Sequence, residues 1–300
     1  MSVDWEGMLL VDKPAGPTSH DVVARIRRLT GQPRAGHTGT LDPPATGLLV
    51  VLLGRATRLA GYVPSAPKNY VGTLQLGIST LTDDLTAPAS ERHEGALPDA
   101  GQVRAAAAAL VGSGWQVPPR VSARRVGGKR LYRAARQGEA LEAPPAAIDV
   151  LRFEVVPTAE AGVWTFDASV SAGTYVRGLV RDMGASLGCG AAVASLRRTG
   201  IGSLDVADAV AGDDPDRLRD AFVPLDEVPL GGSSVLLGAD AAAGFRHGRK
   251  TDTDRPDGLV AARDERGALL GIGWVESGAL APRVVLEAPS SGRLPRAHSL

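Results

Sequence analysis

An unbroken apolar run, Gly47-Leu48-Leu49-Val50-Val51-Leu52-Leu53-Gly54, does most to limit the folds open to this chain. Bounded by glycines and far too short to span a membrane, it reads as a strand buried within a sheet. Directly before it stands Gly36-His37-Thr38-Gly39-Thr40-Leu41-Asp42-Pro43, a polar turn. Gly36 and Gly39 permit a backbone most residues would resist, and Pro43 fixes the exit direction just after a lone carboxylate. Such a turn is suited to holding Asp42 still. It precedes a strand, which separates it from the glycine-rich phosphate loops that precede a helix.

The flanking segments supply partners for that strand. Met8-Leu9-Leu10-Val11 reads as another short buried strand, followed by the turn Asp12-Lys13-Pro14-Ala15-Gly16-Pro17. A helix then begins at Thr18 or Ser19, with Val22, Val23, Ile26 and Leu29 at helical spacing. Beyond Gly54 the pattern predicts a short helix from Arg55 to Tyr62, then a strand from Lys68 to Gly77 with Tyr70, Gly72, Leu74 and Leu76 on one side. A long loop is expected over 79–95 and a helix over 98–110. Extended chain follows over 112–128, with a short helix over 129–136. Strands at 147–156 and 163–172 form a hairpin, and Gly173-Thr174-Tyr175-Val176-Arg177 leads into a helix. Its apolar face is Val176, Leu179, Val180, Met183 and Leu187, which leaves Arg177 and Arg181 on another. A strand over 191–202 returns to the sheet. After the linker Gly231-Gly232-Ser233-Ser234, runs at 259–262, 269–272 and 283–286 predict a small all-β module, with a disordered tail over 289–300.

Composition narrows the function classes. A single cysteine, Cys189, excludes an internal disulfide, and five scattered histidines lack metal-ligand spacing, so no metal site is expected. The chain has neither a long apolar run nor a basic leader followed by one, and a cytoplasmic protein is expected. Net charge is zero, yet the distribution is uneven. Between Val103 and Gln137 stand Arg104, Arg120, Arg124, Arg125, Lys129, Arg130, Arg133 and Arg136 without one Asp or Glu, while 203–227 is strongly acidic. A basic face of this kind suits a phosphate backbone.

Five stretches together resemble the tRNA pseudouridine-55 synthase (TruB) family. They are Asp12-Lys13-Pro14-Ala15-Gly16 with Thr18-Ser19, the Gly36 to Pro43 turn, Tyr70-Val71-Gly72, Gly128-Lys129-Arg130-Leu131-Tyr132, and Gly173-Thr174-Tyr175-Val176-Arg177 with Leu196-Arg197-Arg198. They occur in the family's order. The resemblance implies an α+β fold, a mixed and mainly antiparallel sheet flanked by helices. Residues 1–229 would be the catalytic domain and 230–288 a β-rich PUA-like RNA-binding module. It also implies a cofactor-free isomerisation of a uridine in the tRNA T-loop, with the T-arm as partner; a monomer is expected because no apolar heptad or exposed amphipathic stretch indicates an obligate protein partner.

Carried over by residue, the resemblance makes Asp42 the catalytic aspartate, Tyr70 the platform for a flipped uracil, and Arg177 the partner of Asp42. His37 would hold the displaced loop and Leu196 would line the uracil pocket, with Tyr175 beside it. Lys13 and Pro14 would support the active-site loop with Gly36, Gly39 and Pro43, while Arg124, Arg125, Lys129 and Arg130 would meet the RNA backbone. The residue types suit the chemistry. A stacked base must be extruded and its stacking replaced, and a carboxylate can attack the sugar or promote elimination to a glycal. Pro44, Thr46 and Val121 depart from the family pattern without removing a reacting group. Three rival readings are a guide-RNA-dependent uridine isomerase, a non-catalytic RNA-folding protein, and a glycosidase using Asp83 or Asp84 as a second acid.

Overall fold

The computed structural model describes residues 4–122, 124–126, 129–131 and 143–286. Strand β1 (Gly7–Lys13) leads to helix α1 (Ser19–Thr30), whose N-cap is Thr18. The Thr18 hydroxyl accepts from the Asp21 N–H while the Asp21 carboxylate accepts from the Thr18 N–H, a reciprocal cap that leaves Ser19 free for another task. Next come β2 (Ala35–Thr38) and β3 (Thr46–Leu53). The apolar run is buried on both faces, which explains why it does not alternate. Leu48, Val50 and Leu52 share a cluster with Met8 and Leu10, and Leu49, Val51 and Leu53 pack with Val22, Val23 and Ile26 of α1. A 3-10 turn over Gly54–Leu59 takes the place of the longer helix expected there.

The middle of the chain contributes β4 (Lys68–Leu76), β5 (Ile78–Thr80), β6 (Ala89–Arg92), α2 (Ala100–Ala108) and β7 (Gly112–Gln116). The expected loop over 79–95 therefore contains a hairpin, with β5 and β6 paired. Within the helix expected over 129–136, Lys129–Arg130 is instead strand β9, paired with β8 (Arg125–Val126), for which the Gly127-Gly128 dipeptide is a hairpin signal, and Leu131 is helical. Arg133, Arg136 and Tyr132 lie outside the described residues.

Strands β10 (Ala146–Pro157) and β11 (Val163–Val170) form the predicted hairpin, followed by α3 (Val176–Ser186) and β12 (Ala191–Ile201). The short strands β13 (Leu204–Asp205), β14 (Val210–Ala211) and β15 (Val223–Pro224), with helix α4 (Pro215–Asp220), close the main sheet. Its order is β14-β1-β3-β12-β4-β11-β10-β7, with β2 on β3, β13 on β12 and β15 on β1. Only β1–β14 and β3–β12 run parallel, so the sheet is mixed and mainly antiparallel, as expected. The β3–β12 junction is tight. A Cβ on Gly47, whose φ is 98°, would lie 2.2 Å from the Arg198 carbonyl oxygen.

A second sheet of five strands holds β16 (Ser233–Leu237), β17 (Thr251–Asp252), β18 (Gly258–Asp264), β19 (Leu269–Glu276) and β20 (Ala279–Val285), in the order β16-β18-β19-β20-β17. The expected all-β module also carries helix α5 (Ala239–Arg246), whose Phe245 is fully buried among strand residues. Ala261, Leu269, Ile272 and Leu286 join the apolar cluster of Met8, Leu10 and Leu48, so this sheet covers one face of β1 and β3. Arg58 donates to the Val285 carbonyl and the Asp226 carboxylate accepts from the Leu269 N–H at 2.6 Å. The expected tail over 289–300 lies outside the described residues.

Candidate active site

The segment 39–45 links the edge strand β2 to the central strand β3. Gly36, His37 and Thr38 belong to β2, paired with Leu52, Val51 and Val50, so they are strand and only Gly39 turns the chain, at φ 70°. Gly36 has an ordinary φ and open space where a Cβ would be, which removes the conformational need expected for it. Beyond Gly39 the loop is fastened on both sides of Asp42. The Ser19 hydroxyl accepts from the Leu41 N–H at 2.9 Å and bonds to the Leu41 carbonyl at 3.0 Å. The Pro43 carbonyl accepts from the Gly16 N–H at 2.9 Å and from Lys13 Nζ at 3.1 Å.

Lys13 is fully buried and also donates to the Pro14 and Pro17 carbonyls, both at 2.8 Å. Three backbone acceptors and no carboxylate hold this ammonium, so burial lowers its pKa to about 8, with the nearby Asp42 charge opposing the fall. The expected supporting role of the Lys13-Pro14 turn has a concrete form: it ties the α1 entrance to the residue after Asp42.

Asp42 points its carboxylate at helix α3. Arg177 Nη2 lies 2.8 Å from Asp42 Oδ2, and the two differ sharply in exposure, 5% for the arginine side chain and 38% for the aspartate. The arginine was expected on a helix face apart from the apolar one and as the partner of Asp42; it makes that pair and is itself buried. Its guanidinium donates to the Thr82 carbonyl, to the Val121 carbonyl at 3.0 Å, and faces Asp84 Oδ2 at 3.6 Å. Four groups therefore fix the fork of Arg177, and the remaining exposed side of Asp42 is open. Arg181, one turn on, pairs with Asp83 at 3.1 Å and with Asp182 at 2.8 Å.

Asp83 and Asp84 are occupied. Asp84 Oδ1 accepts from the Thr82 hydroxyl at 2.8 Å, the Thr86 N–H at 3.0 Å and the Thr86 hydroxyl. Burial raises the Asp83 pKa, with Arg181 and Arg177 opposing it. Both side chains are about 10% exposed and are spent on shaping this loop, which leaves no second free acid for glycosidase chemistry.

Tyr70 stands on β4 opposite Arg198 of β12, and Gly72 stands opposite Leu196. Directly paired residues share a face, so Tyr70, Leu196 and Arg198 look the same way. Tyr70 is 7% exposed and packs in one apolar cluster with Leu41, Val176 and Leu196. Its hydroxyl has no hydrogen-bond partner among the described residues. Tyr175 caps α3 through its backbone: Gln116 accepts from the Tyr175 N–H at 2.9 Å and donates to its carbonyl at 3.1 Å. His37 is half-buried, its ring edge-on to His20 at 5.2 Å, and burial lowers its pKa to about 4, assisted by His20 and Arg198.

The geometry therefore joins Asp42 and Arg177 directly, gathers Tyr70 and Leu196 in the adjoining cluster, and places Lys13, Pro14, Gly39 and Pro43 in the loop's support. Of the expected RNA-contacting residues, Arg124 accepts from the Leu131 N–H through its carbonyl, and Arg125, Lys129 and Arg130 are described only by their backbone strands. Sequence reading gave no site role to Gln116 or Lys68, and it named Ser19, Asp84 and Arg198 without the contacts they make here. The Thr80-Leu81-Thr82-Asp83-Asp84-Leu85-Thr86 pattern was a usable signal for Asp84, since alternate hydroxyls around an Asp favour a self-bonded turn. A lone Gln after an exposed tryptophan offered none.

Comparison with known proteins agrees over most of the chain. Residues 27–176 match a family model described as TruB family pseudouridylate synthase, N-terminal domain. Residues 177–228 match a tRNA pseudouridylate synthase B C-terminal domain, and residues 233–286 match a model described as pseudouridine synthase II TruB, C-terminal. The chain is 42% identical over 290 residues to tRNA pseudouridine synthase B of Thermobifida fusca, covering 93% of this chain and 98% of the relative. It is 40% identical to the enzyme of the same name from Cutibacterium acnes, covering 91% and 94%. Among solved structures, a Cbf5-Nop10-Gar1 complex is similar, with a TM-score of 0.70 at 26% identity, over 94% of this chain and 85% of that one. An H/ACA RNP bound to a substrate RNA containing 2'-deoxyuridine gives 0.69 at 25%, with the same coverage.

Proposed function

The chain belongs to the TruB family of pseudouridylate synthases, and from that premise we propose that it isomerises a T-loop uridine of tRNA to pseudouridine, with Asp42 as the reacting carboxylate. The observation that carries the site assignment is the Asp42–Arg177 pair, a carboxylate open to solvent on one side and held by a buried guanidinium on the other. A charge-assisted contact of this kind keeps the carboxylate aimed. The reaction breaks the bond from the sugar to N1 of uracil, turns the base, forms the bond to C5 and releases the C5 proton. Nothing is oxidised or reduced, so the balance needs no cofactor. Attack on the sugar and elimination to a glycal both require the anion that Arg177 supports.

A uridine within a folded loop is reached by extrusion, and lost stacking has to be replaced. Tyr70 serves that purpose, with its ring in one apolar cluster with Leu41 and Leu196 and its hydroxyl without a hydrogen-bond partner among the described residues. Tyr175 stands at the start of α3 beside Arg177. His37 is neutral at pH 7, which lets it lie against an RNA loop without bringing a charge of its own. The basic segment with Arg124, Arg125, Lys129 and Arg130 is the backbone-binding surface, assisted by the module over 230–288, and residues 1–229 carry the chemistry. We place the enzyme in the cytoplasm, acting as a monomer; no helix among the described residues is long and apolar enough to cross a membrane.

The two solved structures named above are an H/ACA RNP and a multi-protein complex, and they stand at 25–26% identity against 40–42% for the tRNA enzymes. That difference favours a tRNA substrate recognised without a guide. The test is to incubate the purified chain with unmodified tRNA transcript, no guide and no added cofactor, and to map pseudouridine. Product at one T-loop uridine is expected; product that appears only when a guide RNA is added would overturn the reading.

A further inference from the structure

Arg198 is fully buried, and it differs from the other arginines at the site in having no carboxylate within 4.0 Å among the described residues. Arg177, Arg181 and Arg197 each have one or two. Arg198 Nε donates to the Leu48 carbonyl at 2.8 Å and Nη2 to the Gly39 carbonyl at 2.7 Å, while Nη1 is buried without a partner. The Lys68 ammonium beside it carries the same sign. A methyl placed on Gly39 would sit 3.4 Å from Arg198 Nη1 and 3.6 Å from Lys68 Nζ, so the two cations converge on the same turn. Lys68 has neither a hydrogen bond nor an ion pair among the described residues, and burial together with Arg198 lowers its pKa. His37, whose Nδ1 is also buried and unpartnered, completes the group.

A buried cation without a counter-charge is costly, and here the half-buried ammonium of Lys68 is packed beside the buried guanidinium of Arg198. Lys68 lies two residues before Tyr70 on β4, hence on the same face, and Arg198 lies directly across from Tyr70. The Gly39 turn that separates the cations opens three residues before Asp42. What the cluster lacks is an anion, at the edge of the site where the base would be turned out.

We infer that Lys68, backed by the buried charge of Arg198 and edged by His37, is a binding site for one phosphodiester of the RNA backbone next to the extruded nucleotide. The site rests on the functional reading given above and deepens it. Lys68 Nζ makes the contact, and Arg198, covered by Gly39, acts as a fixed positive charge behind it. Lys68 is a positioning residue: it fixes where the backbone lies so that the sugar meets Asp42, and it touches no reacting atom. Because the cations repel one another while the site is empty, removing one of them relieves the fold and weakens the complex.

The experiment uses the full chain and a T-arm stem-loop RNA in which each loop phosphate in turn is replaced by a neutral methylphosphonate. Binding of each RNA is measured with wild type, Lys68→Met and Lys68→Arg. In wild type, neutralising one phosphate within a few nucleotides of the target should weaken binding by about tenfold. In Lys68→Met the same replacement should cost less than twofold, the log–log salt slope should fall by about 0.7, and Lys68→Arg should restore both. Thermal unfolding should show Lys68→Met at least as stable as wild type. An identical methylphosphonate profile in wild type and Lys68→Met, or a destabilised Lys68→Met whose profile is unchanged, overturns the phosphate site. Pseudouridine is scored with the all-phosphate RNA in the same series, so a wild type that binds with the expected profile yet makes no product would count against the functional reading alone.

Discussion

Two loops bring carboxylates to the arginines of helix α3, and they treat them in opposite ways. The loop over 80–86 turns inward: Asp84 collects two threonine hydroxyls and a backbone N–H, Asp83 takes Arg181, and both are nearly closed to solvent. The loop over 39–45 is fastened by its backbone alone, at Leu41 and Pro43, and leaves the Asp42 side chain with Arg177 and open space. A carboxylate whose oxygens are saturated with donors is a structural element. One whose backbone is pinned and whose second oxygen is free is poised to react. The comparison shows that the Asp42 loop is held through its main chain, so that the carboxylate proposed to react stays uncommitted.

Arg177 belongs to both loops, and replacing it should have the largest effect. Arg177→Lys keeps the charge and loses the fork that reaches Asp42, Asp84 and two carbonyls at once, so turnover should fall by about 10²–10³ in single-turnover kinetics. A fall of less than tenfold would mean that charge alone, without the fork, orients Asp42. Next in size is Asp84→Ala, which leaves the Thr86 N–H, two hydroxyls and part of Arg177 without their acceptor. It should cost about 3 kcal/mol in denaturant unfolding while turnover at low temperature changes less than tenfold. If instead activity vanished with stability intact, the 80–86 loop would have to be given a share of the chemistry.

The two regions should also respond oppositely to acid. The folded-state pKa of His37 is lowered from 6.5 to about 4, so as pH falls through 6.5 the unfolded chain takes up the proton first and the fold loses stability down to pH 4. Asp83 is shifted upward, so the fold binds its proton more readily than the unfolded chain and gains as pH falls. His37→Gln should remove about 2 kcal/mol of the stability lost between pH 6.5 and 4, after discounting for the partial exposure of the ring. An unaltered pH profile in His37→Gln would place the acid-sensitive group elsewhere. The smallest expected effects come from the glycines of the Asp42 segment. Gly39→Ala forces a left-handed backbone on a residue with a Cβ and should cost about 1 kcal/mol, whereas Gly36→Ala should stay within about 0.5 kcal/mol. Equal losses would mean that the turn is shared by both positions.

These residues also mark how far the sequence could be read. The β1, β3 and β4 strands and helix α1 were legible because their signals are local, an apolar run, a cap and a periodicity, whereas the Asp42–Arg177 pair was expected only through the resemblance carried by five motifs in a familiar order. The conformation of Gly36 was misread because a Gly-x-x-Gly pattern says nothing about which glycine turns. The burial of Arg177 was missed because an arginine off the apolar stripe of a helix ordinarily faces solvent, and here the 80–86 loop and Val121 cover it. The helix in the C-terminal module is short and alanine-rich, too weak a pattern against the strands around it. Arg198 and Lys68 are 130 positions apart in the chain and meet only through the β4–β12 register, which no sequence window spans.

The central claim is that Asp42, alone of the three carboxylates near α3, reacts with the sugar. Asp42→Asn preserves size and changes little in the fold, so its stability should lie within about 1 kcal/mol of wild type. Single-turnover pseudouridine formation on a T-arm RNA, measured side by side for Asp42→Asn and Asp84→Asn at saturating enzyme, separates the two loops. The account predicts tight binding and no product with Asp42→Asn, and product with Asp84→Asn. Wild-type rates from Asp42→Asn would contradict it.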